Sequence, residues 1–168
     1  DVAAVIMETI PATYGFPLPE PGYLQAVKRL CEEYDTLYIA DEVQTGLMRT
    51  GEMWGISKAG VEPDIMVIGK GITGGMYPIA CVVVSEECSA WLKEDGFGHI
   101  STGGGSELGC RVAAKALELY QSAETRARVV DNAAYMRAGL DTLTQRYPHL
   151  SDVRQLGVIF GLGFEIGR

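Results

Sequence analysis

Lys70 stands between Gly69 and Gly71, with Gly74 and Gly75 close behind. A lysine amine freed of its proton attacks carbonyl carbon. Flanking glycines let a planar ligand approach the backbone. Asp41-Glu42 precedes this lysine in the chain. Such a carboxylate pair has three open roles: to hold a metal, to terminate a strand in solvent, or to face a protonated pyridine nitrogen and keep its ring cationic. The two histidines, His99 and His149, are far off in sequence and do not favour a metal. Ser101-Thr102-Gly103-Gly104-Gly105 forms a third element at the entrance to a helical pattern. Free N–H groups and a partial positive charge there suit an anion, and Thr102 adds a hydroxyl donor. A solvated lysine in a flexible loop, or an ordinary helix entrance, would carry the same letters. The three elements therefore have weight only together.

These residues need elements to position them. Residues 2–7 read as a strand, Leu37–Ala40 as a second ending at Asp41, Ile65–Ile68 as a third ending just before Lys70, and Ile79–Val84 as a fourth. The first three are continuous apolar runs, which belong to a mostly parallel sheet covered on both faces in an α/β fold. Ligands in such sheets sit at the carboxyl ends of strands, where Asp41 and Lys70 lie. Proline and glycine between Pro11 and Gly22 predict a rigid loop, followed by an amphipathic helix over 22–34. A Gly-dotted loop spans Thr45 to Gly60. Glu86 to Lys93 reads as a short helix, and 106–122 and 124–146 as long ones, the last ended by Pro148. Val158 to Ile166 alternates apolar and small residues and reads as a half-buried strand. Gly69-Lys70-Gly71-Ile72-Thr73-Gly74 matches the letters of a dinucleotide fingerprint, but Gly75-Met76-Tyr77-Pro78 cannot open the required helix.

The 168 residues suffice for one ordinary core. Fourteen Lys and Arg against 22 Asp and Glu give a net charge of −8, which argues against a nucleic-acid binder. No apolar run approaches a membrane span. Cys31, Cys81, Cys88 and Cys110 show neither CxxC nor zinc spacing, which suggests a reduced, cytoplasmic protein. Both ends fall inside apolar runs, so the sequence is expected to be an internal piece of a longer protein.

The lysine, the acid and the anion loop together point to pyridoxal 5'-phosphate. The sequence Ala40-Asp41-Glu42-Val43-Gln44-Thr45-Gly46-Leu47-Met48-Arg49-Thr50-Gly51, with Trp54, Pro63-Asp64-Ile65, Gly69 to Gly75 and Ser101 to Gly104, resembles the class III, or ω-, aminotransferases of fold type I. The resemblance covers essentially the whole chain. It implies that residues 1–122 belong to an incomplete cofactor-binding large domain. Residues 123–168 would then be the linking helix and, at Val153 to Phe164, the first strand of a C-terminal small domain.

By the resemblance, Lys70 forms the internal aldimine and shuttles a proton, and Asp41 binds the pyridine nitrogen. Val43 packs on one ring face, and Gln44 lies near the ring hydroxyl. Thr102 binds the phosphate of the cofactor in the other subunit of a homodimer with shared sites. Glu8 matches a glutamate that pairs, in some members, with a substrate-switching arginine, although a plain strand-end acid reads equally well. Arg49 is assigned structure before chemistry. The chain departs from the family at Met48, where Gly or Phe is common, at Gly103, where Phe is usual, and at Ser106-Glu107, where Asn-Pro is usual. The implied activity is transfer of an amino group between an amine or ω-amino acid and a keto acid. An aminomutase, racemase or decarboxylase on the same scaffold, or an inert α/β fragment, is the alternative.

Overall fold

The computed structural model describes residues 2–165. β1 (Ala4–Glu8), β2 (Leu37–Asp41) and β3 (Ile65–Ile68) pair in parallel, and β4 (Cys81–Val84) closes the order β1-β2-β3-β4 antiparallel to β3. The sheet is thus mixed, with two parallel pairs and one antiparallel pair. The connection from β3 to β4 contains only a short 3₁₀ turn, Lys70–Thr73, so the chain turns back beside β3 instead of crossing over.

α1 (Tyr23–Glu33) joins β1 to β2. Its apolar face buries Leu24 and Cys31 against Tyr38, Ala40, Ile56 and Val61, with Val5, Met7 and Val27 alongside. A second cluster of Leu47, Ile68 and Ile72 packs against Met66, Cys81, Ala113, Leu117 and Tyr120, the last three on α3 (Glu107–Tyr120). Register pairs Met7 with Ala40 and Ala40 with Met66, so both clusters lie on one face of the sheet. The opposite face is more open: Ile6 is 62% and Val82 60% exposed. Among the described residues, helical cover is concentrated on the first face, although the apolar runs demand it on both.

The segment expected as a short helix over Glu86–Lys93 is a turn followed by α2 (Ala90–Glu94). α3 and α4 (Ala123–Arg146) are separate helices, each started by a serine. Ser106 Oγ accepts the Gly109 N–H at 3.3 Å and Ser122 Oγ that of Thr125 at 3.1 Å, which satisfies an orphan donor at each N-terminus.

The C-terminal region corrects one expectation. Val153 to Phe164 is not a single strand but a hairpin of β5 (Leu150–Leu156) and β6 (Ile159–Phe164), turned at Gly157-Val158. Gly157 has φ +60, and any Cβ there would lie 2.5 Å from the Arg49 carbonyl oxygen. Only glycine supplies both the left-handed turn and this approach. Val158 donates its N–H to the same Arg49 oxygen at 2.9 Å. Arg154 Nε donates to the Gly15 oxygen at 3.0 Å, and a Cβ on Gly161 would collide with that carbonyl. The hairpin is therefore seated on the loops that follow β1 and β2. Ile166, the end of the expected strand, lies outside the described residues.

Candidate active site

Asp41 ends β2, and its Cα pairs with Val67 on β3, three residues before Lys70. The two residues expected to carry chemistry thus share the carboxyl edge of neighbouring parallel strands. Ladder contacts continue past β2, since Glu42 donates its N–H to the Val67 oxygen at 2.9 Å. Strand alternation then sends Asp41 and Glu42 to opposite faces. Asp41 shares the open face with Ile6, Ile39 and Glu8, its register partner. Glu42 is turned to the packed face and is 0% exposed.

Glu42 is a structural anchor. Its Oε1 accepts the Thr9 hydroxyl at 2.5 Å and the Ile56 N–H at 2.8 Å, and its Oε2 accepts the Gly55 N–H at 2.7 Å. One buried carboxylate thereby ties the end of β1, the end of β2 and the 3₁₀ turn Gly55–Ala59. The Asp41-Glu42 pair looks uniform as letters, and the burial of its second member was missed. The signal available was the period-2 alternation of the strand that precedes it.

The corner after Asp41 is fixed locally. Asp41 Oδ1 accepts the Val43 N–H at 2.9 Å. Arg49 Nη2 donates to the Val43 oxygen at 2.8 Å and its Nε to the Gly46 oxygen at 3.1 Å. Arg49 thus shapes the loop, as the structural reading has it. Burial pushes its guanidinium below the usual arginine value, and Tyr120 and Glu42 oppose the shift. Leu47 and Met48 both adopt left-handed φ, +61 and +69, and both are buried. A left-handed backbone at position 48 gives a physical reason for glycine to be common there.

A Cβ placed on Gly69 would sit 3.5 Å from both Val43 methyl carbons, so Val43 lies against the chain just before Lys70. Lys70 has φ +47, a left-handed conformation that costs a non-glycine residue on the order of 1–3 kcal/mol. The extended run of β3 stops there. Continued alternation would aim position 70 at the face where Ile68 and Ile72 are buried; the left-handed turn leaves Lys70 exposed. The structure gives the lysine no salt bridge among the described residues. Gly74 and Gly75, at φ +60 and +80, keep the chain beyond it free of side chains.

The remaining candidates are distributed around this edge. Gln44 is half-buried, one residue past Val43. Glu8 Oε2 accepts the Ala12 N–H at 2.9 Å and tightens the turn after β1. Thr102 is exposed in the Ser101–Gly105 turn, where Ser101 Oγ accepts the Gly104 N–H at 3.0 Å. No hydrogen bond among the described residues joins Thr102 to Asp41 or Lys70. An apolar groove of about 460 Å³ lies elsewhere, beside α3 between Thr73 and Leu119.

The aminotransferase class-III family model matches residues 1–166. The chain belongs to the class-III aminotransferases. A curated relative, an uncharacterized aminotransferase from Archaeoglobus fulgidus, is 43% identical over 162 residues, which are 96% of this chain and 38% of the relative. This class-III chain therefore spans well under half the length of that relative. Its fold superposes on a solved S-selective transaminase from Arthrobacter sp. with a TM-score of 0.90 at 28% identity, covering 98% of this chain and 35% of the other. It superposes equally well on a taurine:2-oxoglutarate aminotransferase from Bifidobacterium kashiwanohense, solved with PLP and glutamate, with a TM-score of 0.89 at 30% identity, covering 96% and 36%. Similarity to these proteins establishes the fold-type-I architecture of the chain.

Class-III aminotransferases depend on pyridoxal phosphate. The donor set here fits that group. An exposed amine without an ion-pair partner among the described residues and a carboxylate on the neighbouring strand end stand on one sheet edge. The Val43 methyl groups lie against Gly69, and the Val43 N–H is held by Asp41 Oδ1.

Proposed function

We propose that this chain carries the lysine and ring-binding part of a transaminase that moves an amino group between an amine or ω-amino acid and a keto acid. The carrying observation is the shared edge: Asp41 ends β2 and Lys70 follows the end of the neighbouring parallel strand β3, with Val43 against Gly69 just before the lysine. Pyridoxal phosphate, when bound, supplies an electron-withdrawing ring that stabilises negative charge on the carbon bearing the substrate nitrogen. Asp41 holds the ring nitrogen in its cationic form. Val43 would pack against one ring face, and Gln44 would lie near the ring hydroxyl. Lys70 Nζ is the nucleophile that anchors the group and the base that takes the proton from the amine-bearing carbon. Thr102 donates its hydroxyl to the phosphate held by the second subunit of a homodimer. Glu8, on the same face as Asp41, would pair with a substrate-switching arginine, or would serve as the strand-end acid that closes the turn at Ala12. Residues 1–122 serve as part of the large domain, and 123–168 begin the small one. The four free cysteines accord with a reduced, cytoplasmic setting.

The test uses the complete protein that carries this sequence. Pyridoxal phosphate should produce a visible absorbance band, and borohydride reduction should abolish it and fix the group on the peptide containing Lys70. Amino transfer should require a keto-acid acceptor, which separates transamination from racemisation or decarboxylation. Turnover by Lys70→Ala, or the label on another lysine, would refute the assignment.

A further inference from the structure

The Lys70 turn is a strained segment, and α3 grips it at one point. Tyr120, the last residue of α3, donates its hydroxyl to the Gly71 oxygen at 2.8 Å. That oxygen also accepts the Gly74 N–H at 2.8 Å, the bond that closes the turn. A Cβ on Gly71 would lie 3.2 Å from Leu47 Cδ1, 3.6 Å from Tyr120 Oη and 3.7 Å from Arg49 Nη2. The turn is therefore held between the end of α3 and the loop that carries Leu47 and Arg49. A left-handed non-glycine residue persists only where its surroundings over-determine it.

We infer that Tyr120 is a positioning residue for Lys70, fixing the backbone from which the lysine is aimed. Its ring belongs to the cluster around Leu47, Ile68 and Ile72, and its hydroxyl reaches the carbonyl of Gly71, the residue directly after Lys70. Phenylalanine would fill the same space, so the hydroxyl is there for the Gly71 oxygen. Loss of that bond frees the Lys70–Thr73 turn to sample other φ values, and the amine then meets its target less often. The role rests on the functional reading above.

The experiment is Tyr120→Phe in the complete protein. Deuterium exchange of the peptide containing Gly74 should accelerate about fivefold, the equivalent of one ordinary hydrogen bond. With pyridoxal phosphate bound, kcat should fall by about the same factor with KM unchanged. A lowered kcat at unchanged KM is a split that general loosening of α3, which would also weaken binding, does not give. A normal band and normal turnover in Tyr120→Phe overturn the inference, even if exchange accelerates, because the clamp would then hold the turn without aiming the lysine. If the unaltered protein forms no band at all, the functional reading fails and takes this inference with it.

Discussion

Replacing Glu42 by glutamine tests the most concentrated set of bonds at the site. The carboxylate accepts three hydrogen bonds from donors that have nowhere else to turn: the Thr9 hydroxyl and the Ile56 and Gly55 N–H groups. A glutamine offers only one acceptor oxygen. If that oxygen takes the Oε1 place, the amide NH₂ faces the Gly55 N–H, donor against donor. One charge-assisted bond is lost at about 1.5–3 kcal/mol, and the two survivors drop to neutral strength, about 1 kcal/mol weaker each. Relief from burying a charge offsets part of this. The net expectation is destabilisation by about 3 kcal/mol. Urea unfolding of the complete protein measures it as a lower midpoint at constant m. Pairing the change with Thr9→Val should show a coupling of about 1 kcal/mol or more. A glutamine variant within about 1 kcal/mol of the parent, with no coupling, would refute the assignment of Glu42 as the acceptor that joins these three segments.

Gly157→Ala combines a left-handed φ with a clash at the Arg49 oxygen, whereas Gly60→Ala has the same φ sign with open space around it. The first should cost at least about 2 kcal/mol more than the second in thermal or urea unfolding, and equal losses would mean that the hairpin is not seated on Arg49. Burial raises the Asp64 carboxyl, but the Tyr38 N–H at 2.7 Å and Lys28 at 3.0 Å outweigh it, and the net shift is below the ordinary value of 3.8. Its contribution to stability is therefore complete above that value and fades as pH falls through the lowered one. An acid titration of the unfolding midpoint should show this, and Asp64→Asn should flatten that limb.

Much of the scaffold was legible because burial writes itself into apolar runs. Leu37–Ala40 and Ile65–Ile68 are continuous apolar runs, and that continuity carried the expectation of parallel pairing. The direction of β4 was less visible. Val82-Val83-Val84 reads the same whichever way it runs, and only the short return through Lys70–Thr73 sets its sense. The hairpin was read as one strand because Asp152, Arg154 and Gln155 blur the alternation of β5, while Gly157 looks like one more small residue in a glycine-dotted run. At the site, the edge shared by Asp41 and Lys70 was foreseeable from strand ends. Contacts between segments distant in the chain left no local mark: Tyr120 on the Gly71 oxygen, Thr9 on Glu42 and Val158 on the Arg49 oxygen are set by tertiary packing alone.

Arg49 faces two ways: its side chain holds the carbonyls of Val43 and Gly46, and its own carbonyl receives the Val158 N–H. Chimeras assembled from different members of the family consequently have a natural seam problem. A crossover anywhere between these two segments marries a loop from one ancestor to a hairpin from another. Mismatch there would be transmitted to the Asp41 corner even though every residue in contact with the reactants came from a single parent. Recombination libraries that inherit positions 41–51 and 150–164 as one block avoid that conflict.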